Sequence, residues 1–369
     1  MTSVFVYEYL TGGGLLADAQ AAAPSSLLAE GKAMVAALAA DFVAAGAETT
    51  CLRDRPLASW SPSGCRAADV ATPAQHAVAF DRFASEADWT VVIAPEIGGA
   101  LAERCRRVAD VGGRLLGPAA DVIKLASDKQ ATAEFLAAAG IPVPEGTLLP
   151  RGVPWPRDFS YPAVWKPLDG AGSQDVVYVR HPDEPQLAPS RQLGRLERFC
   201  PGVPASVALL CGPGGLGCVL PACRQRLSDD RRFGYLGGSL PLPHELERRA
   251  QTLAKRIRAA LSGAFGYVGV DLVLGASADG GDDVAIEVNP RLTTSYIGLR
   301  AACEQNLAEA MLEVAQGREL RSPIASHAVA FEANGAVAFE TDAADNSQIT
   351  SCEGKFLATE NTEDTEEMG

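Results

Sequence analysis

The stretch from Tyr267 to Tyr296, YVGVDLVLGASADGGDDVAIEVNPRLTTSY, constrains the fold more than any other part of the chain. Residues 267–274 alternate apolar and small side chains, Gly275–Asp282 is rich in Gly, Ser and Asp, and 284–288 is apolar again. That pattern predicts an antiparallel hairpin. A symmetric hairpin has its midpoint at Asp279, and Asp271 and Glu287 each lie eight residues from it. The two acids then face each other with β-carbons roughly 5 Å apart, which is destabilising for like charges unless something lies between them. Asn289 shares the face of Glu287, because side chains alternate along a strand. Two carboxylates and an amide oxygen on rigid strands are hard donors of the kind Mg²⁺ takes. Solvated acids on an open face give the same spacing. The apolar company of Val270, Leu272, Ile286 and Val288 argues for a hairpin buried on one face.

Composition narrows the function classes. The chain has 369 residues, 47% of them hydrophobic, enough for two or three cored domains. Its net charge of −14 excludes a general nucleic-acid binder, which needs a basic surface. Nine cysteines, an odd count without a CxxC pair, fit reduced thiols better than disulfides or zinc. The N-terminus MTSVFVYEYLTGGG has no basic region, and its apolar run is too short for a signal peptide or membrane span. These features predict a soluble, cytoplasmic protein. They leave a homo-oligomer open.

Taken in order, Val4–Leu10 predicts a buried strand ended by Thr11-Gly12-Gly13-Gly14. A helix follows from Ser25 or Ser26 to Gly46, then a strand at 49–52, a long loop over 53–75, a helix at 78–87 and the strand 89–94. A helix at 100–111 and a strand at 114–116 complete an alternating pattern, which implies a parallel sheet covered on both faces. The TGGG run fits a tight turn or a ligand-facing loop, since open parallel sheets bind ligands at that edge. Glu8, Thr11 and Glu96 are the candidates there.

Ser127-Asp128-Lys129-Gln130 has the S-x-x-Q form of a capping box, which puts Lys129 in a helix's first turn. The helix dipole disfavours a cation there, so Lys129 is either solvated or placed to meet a phosphate beside exposed N–H groups. Lys166 stands among the apolar strand residues of YPAVWKP, where it needs a charged partner. The loop after it, DGAGSQ (169–174), is a hairpin connection or a glycine-rich flap over phosphates. Strands are expected at 176–180, 196–200, 205–211 and 218–226, the last with Arg224 and Arg226 on one face. Tyr235–Gly238 reads as flexible, 244–261 and 298–316 as helices, and the acidic end as unstructured.

Together the SDK helix start followed by GIPVP, the strand lysine with its glycine-rich loop, ERFCPG, GVDLV and EVNPRLTTSY resemble the ATP-grasp superfamily of carboxylate–amine ligases over roughly residues 1–335. The resemblance implies an α/β fold: a Rossmann-like open sheet (pre-ATP-grasp, 1–118), then an ATP-grasp fold of two α+β subdomains (119–200 and 201–335), and an acidic tail (336–369). It implies ATP and Mg²⁺, with Mn²⁺ as a substitute. Lys129, Lys166, Gly170, Gly172 and Ser173 would contact the phosphates, and Glu197, Phe199 and Cys200 the adenine. Asp271, Glu287 and Asn289 would hold the metal. Arg291 and Lys166 would be catalytic, and Glu8, Thr11, Arg224, Arg291 and Thr293 would meet substrate. Many members carry an acid for the ribose soon after the linker Pro-Gly. Val203-Pro204-Ala205-Ser206 has none. VYEYLTGGG, PGVPASV and NPRLTTSYIGL are further similar to the tyramine–glutamate ligase family of methanofuran biosynthesis, which implies glutamate joined to tyramine, or to tyrosine in a methylofuran relative. The alternatives are an ATP-grasp ligase for another amino acid or peptide pair, or a phosphotransferase with a hydroxyl acceptor.

Overall fold

The computed structural model describes residues 1–18, 24–169, 175–190 and 192–339. The N-terminal unit alternates as its pattern predicts: β1 (Ser3–Glu8), α1 (Ser25–Ala44), β2 (Glu48–Asp54), β3 (Arg66–Val70), α2 (Pro73–Glu86), β4 (Trp89–Ile93) and α3 (Ala100–Asp110). The four strands are parallel in the order β3-β2-β1-β4. The loop expected over 53–75 contains β3, an edge strand whose polar sequence RAADV hid it. The strand expected at 114–116 is one parallel bridge, Thr90 to Leu115.

Two helices, α4 (Ala120–Ala126) and α5 (Lys129–Ala138), lead to a small antiparallel sheet of β5 (Gly146–Pro150), β6 (Ala163–Pro167), β7 (Val177–Val179) and β8 (Leu193–Arg198), ordered β5-β8-β6-β7. Buried Trp165, Trp155, Leu149 and Leu196 form its core. The cap of α5 is Asp128, whose carboxylate accepts from the N–H groups of Gln130 and Ala131, both at 2.9 Å. Ser127 instead donates to the carbonyl of Ile123 and closes α4.

The larger sheet holds β9 (Val203–Cys211), β10 (Gly217–Val219), β11 (Cys223–Leu227), β12 (Tyr235–Leu240), β13 (Gly266–Leu274), β14 (Val284–Asn289), β15 (Val329–Glu332) and β16 (Val337–Phe339). Its order is β14-β13-β9-β11-β12-β15-β16, with β10 against β9. One face packs on α6 (His244–Ala260). The other packs on α7 (Ser295–Ala302) and α8 (Leu307–Ala315), and through them shares a core with α1 and β1 of the N-terminal unit.

Three expectations change here. The run 218–226 breaks into β10 and β11, and the helix expected over 298–316 is two, because Asn306 caps α8 by accepting from Ala308 and Glu309. Tyr235–Gly238, expected to be flexible, belongs to β12. Its glycines fit between the strands on either side: a Cβ on Gly238 would collide with the Arg224 carbonyl oxygen of β11 and lie 2.9 Å from the Phe331 ring of β15. Ordered chain runs past 336 into β16, and the unstructured tail expected beyond it lies, from residue 340, outside the described residues.

Candidate active site

The β13–β14 hairpin pairs Asp271 directly with Glu287, as its sequence symmetry predicts. Immediately beyond that pair the register shifts, so that Leu272 faces Ala285 and Ile286 is an extra residue. A bulge of this kind re-aims side chains, and consecutive Ile286 and Glu287 both line one cavity of 670 Å³. That volume suits a ligand the size of a nucleotide with a second substrate. The cavity lies between the small and large sheets and is closed at one end by the start of α1.

Two lysines enter it from separate elements. Lys129, at the first position of α5, is buried and its Nζ lies 2.8 Å from Glu287 Oε1. Lys166, on β6, lies 2.7 Å from Glu197 Oε1 and 3.4 Å from the Ile286 carbonyl. Glu197 is also met by Arg195 at 3.1 Å, so the charged partner that a strand lysine requires is present. Burial works against the charge of Glu287, yet Lys129 and Lys166 outweigh it and hold that carboxyl below its usual range. Among the described residues Asp271 has no cation in contact: burial first, and then the charge of Glu287, push it up to about 7, against a smaller opposing pull from Arg291. Only amides serve it, Gln225 at 2.8 Å and Asn289 at 3.0 Å.

The residues present fit a divalent cation. Among the described residues no three His, Cys, Asp or Glu side chains converge as a metal cluster, and Mg²⁺ needs only one or two carboxylates when substrate phosphates and water complete its shell. Among the described residues no cation touches Asp271, and only the more distant Arg291 partly offsets its charge. Opposite Asp271 on β9, the buried hydroxyl of Ser206 has no hydrogen-bond partner among the described residues. Asn289 turns its amide nitrogen to Asp271 here, so its oxygen is not presented to the pair.

Arg291, just after β14, is gripped by Glu96 of the N-terminal unit through Nε at 2.9 Å and Nη2 at 3.1 Å. It lines the cavity with Thr293, Thr294 and Ser295. The far wall is more apolar, with Val164, Pro167, Val176, Phe199, Leu272 and Ile286, and the thiol of Cys200 there is raised by burial. Phe199 stacks on Phe233 at 6.1 Å, which links the two sheets across the opening.

Of the residues singled out from sequence, Lys129, Lys166, Glu197, Phe199, Cys200, Asp271, Glu287, Asn289, Arg291 and Thr293 line this cavity. Gly170, Gly172 and Ser173 lie outside the described residues. Glu8, Thr11 and Arg224 do not line it. The Glu8 carboxylate is buried and accepts from the N–H groups of Leu10 at 3.2 Å and Thr11 at 2.7 Å, tying the turn after β1. Gly31 packs on it so tightly that a Cβ would lie 2.8 Å from its oxygens. Thr11 is buried in that same turn, so TGGG is a tight turn. Arg224 is exposed, and strand alternation turns its neighbour Gln225 to Asp271 instead.

Sequence reasoning missed Glu30 and its α1 neighbours Ser26 and Leu27, which close the cavity. A signal existed: Leu27, Glu30, Met34, Leu38 and Asp41 recur at helical spacing, which sets two acids in an apolar stripe.

Comparison with known proteins addresses the fold and the family. Residues 126–295 match the ATP-grasp domain family, and residues 47–123 match the pre ATP-grasp 3 domain. The chain belongs to the ATP-grasp superfamily. It is 28% identical over 234 residues to a protein named tyramine–L-glutamate ligase from Methanocaldococcus jannaschii, across 63% of this chain and 65% of that protein. The same identity relates it to the protein of that name from Methanocaldococcus fervens, with 68% of it covered. The chain thus spans about two thirds of the length of these relatives. Solved structures of similar fold include the L-amino acid ligase from Bacillus licheniformis (TM-score 0.62, 15% identity, 89% of this chain and 79% of that one). N5-carboxyaminoimidazole ribonucleotide synthetase from Thermotoga maritima is another (TM-score 0.63, 18% identity, 89% and 79%). At those identities the likeness shows the fold.

Proposed function

We propose that this ATP-grasp protein is an ADP-forming ligase that joins a carboxylate to an amine. The observation that carries the reading is one cavity holding Lys129 and Lys166 from two elements opposite the Asp271–Glu287 pair. A carboxylate does not react with an amine at neutral pH and needs activation by phosphoryl transfer. The apolar wall around Val164, Phe199, Leu272 and Ile286 suits a base, and Lys129 and Lys166 then meet the phosphates. Each lysine is already paired with a carboxylate, so its charge is held in place before nucleotide arrives. Asp271 and Glu287 are the residues that would hold Mg²⁺, joined by Asn289 once its amide turns its oxygen toward them, and the ion when bound would offset the phosphate charge. Arg291, oriented by Glu96, is placed to steady the acyl phosphate and the oxyanion formed when the amine attacks. The amine's lone pair forms the C–N bond as the acyl–oxygen bond breaks and phosphate leaves.

Likeness to the proteins named tyramine–L-glutamate ligase supports glutamate as the acid and tyramine or tyrosine as the amine, within methanofuran or methylofuran assembly. Among the described residues no helix is long and apolar enough to cross a membrane. The test is ADP release with ATP, Mg²⁺ and glutamate, adding tyramine or tyrosine in turn and identifying the product by mass. Amine-dependent ADP with a product of amide mass supports the reading. Sustained ADP release without amine points to a phosphotransferase.

A further inference from the structure

The carboxylates along the cavity wall differ in what answers their charge. Glu197 is held by Lys166 and Arg195, and Glu287 by Lys129. Asp271 belongs to the proposed metal pair. Glu96 behind the wall is taken by Arg291. Glu30 of α1 remains: it lines the cavity and accepts from the Thr294 hydroxyl, and among the described residues no cation lies within ion-pairing distance of it, Arg291 on the same wall feeling its charge only from farther off while bound to Glu96. A carboxylate on a partly closed wall with one neutral donor is poorly compensated, and a cationic ligand group supplies what is missing.

Its position is built. Three helical turns further along α1, Asp41 accepts from the Tyr296 hydroxyl at 2.7 Å and is bound through both oxygens by Arg300, while Asn306 donates to its backbone carbonyl at 2.8 Å. These contacts fix α1 against α7, so the Glu30 carboxylate is set against Thr294 at the N-terminal end of α7. Leu27, Tyr235, Leu236 and Ala333 line the cavity with it, offering mostly apolar surface to whatever chain carries the cation.

We infer that Glu30 seats the ammonium group of the acceptor amine and thereby selects a charged primary amine with an apolar or aromatic tail. This deepens the ligase reading and rests on it. Primary alkyl amines are protonated at neutral pH, like the lysine side chain. Glu30 would bring the acceptor in as its ammonium form beside the site where the acyl phosphate forms, and the nitrogen gives up its protons to phosphate and solvent as the amide is made.

The test compares two nucleophiles on wild type, Glu30→Gln and Glu30→Asp, with ATP, Mg²⁺ and glutamate. Tyramine is cationic at pH 8, whereas hydroxylamine is largely uncharged and traps the same acyl phosphate as a hydroxamate. In Glu30→Gln the ratio of tyramine to hydroxylamine kcat/KM should fall about 10- to 100-fold, the loss of one charge-assisted hydrogen bond, through the tyramine KM. Glu30→Asp should recover part of that ratio. An unchanged ratio overturns the inference, as does a rise confined to the glutamate KM, which would assign Glu30 to the donor's ammonium. Wild type that yields no glutamyl hydroxamate and no amide sinks the ligase reading itself, and the role of Glu30 with it.

Discussion

Replacing Asp271 with Asn should make the metal-free protein more stable while abolishing its activity. A carboxyl that ionises at 3.8 in the unfolded chain and at about 7 in the folded one costs the fold up to about 4 kcal/mol once the pH exceeds both values. Below pH ~4 the group is protonated in both states and has no effect. Between ~4 and ~7 only the unfolded chain loses its proton, so stability falls as pH rises, and above ~7 the penalty is complete. Access of water through the cavity reduces it. The substitution also sets an amide against Gln225, which now donates to Asp271 at 2.8 Å, at a cost of about 1 kcal/mol. A net gain of about 1–2 kcal/mol is left at pH 8. The assay is thermal and urea unfolding of wild type and variant in EDTA at pH 5 and pH 8. Asp271→Asn should melt higher at pH 8, with the difference shrinking at pH 5. Magnesium and ATP should stabilise the wild type and leave the variant little changed. A variant less stable than wild type at pH 8, or a gain independent of pH, would refute the charge argument.

Other substitutions separate binding from folding. Lys129→Ala removes the cation beside Glu287 and should destabilise the protein by about 3 kcal/mol, since breaking a buried pair strands a charge. Isothermal titration should show ATP affinity at least ~10-fold weaker in the same variant. Asp41→Ala deletes the acceptor for Tyr296 and Arg300 and should cost about 3 kcal/mol in unfolding experiments. A loss under ~1 kcal/mol would argue against α1 being fixed there. Glu96→Gln should lower kcat more than it raises the KM for ATP, because it frees Arg291 without touching the lysines.

The hairpin was legible because period-two alternation and a Gly/Asp-rich turn fix register together, and the Asp271–Glu287 pairing follows from counting. The Ile286 bulge was not, since an inserted apolar residue leaves no compositional mark. Lys166 declared itself by standing among apolar strand residues. Glu8 and Thr11 misled because an acid and a hydroxyl at the C-terminal end of a parallel strand suit a ligand edge, while the structure spends them on the turn that covers it. Arg224 was drawn by its charge, although alternation makes Gln225 the inward side chain. Glu30 and Asp41 were hidden by treating α1 as an apolar stripe and passing over the acids within it. Long-range partners such as Arg291 and Glu96, 195 residues apart, have no local signature at all.

The most direct test of the two-lysine, two-carboxylate cavity is steady-state ADP release by wild type and Glu287→Gln with ATP, Mg²⁺, glutamate and tyramine, each variant first shown to unfold cooperatively. The account predicts amine-dependent turnover in wild type and a loss of at least ~100-fold in the folded variant. Turnover by folded Glu287→Gln within a few-fold of wild type would contradict it.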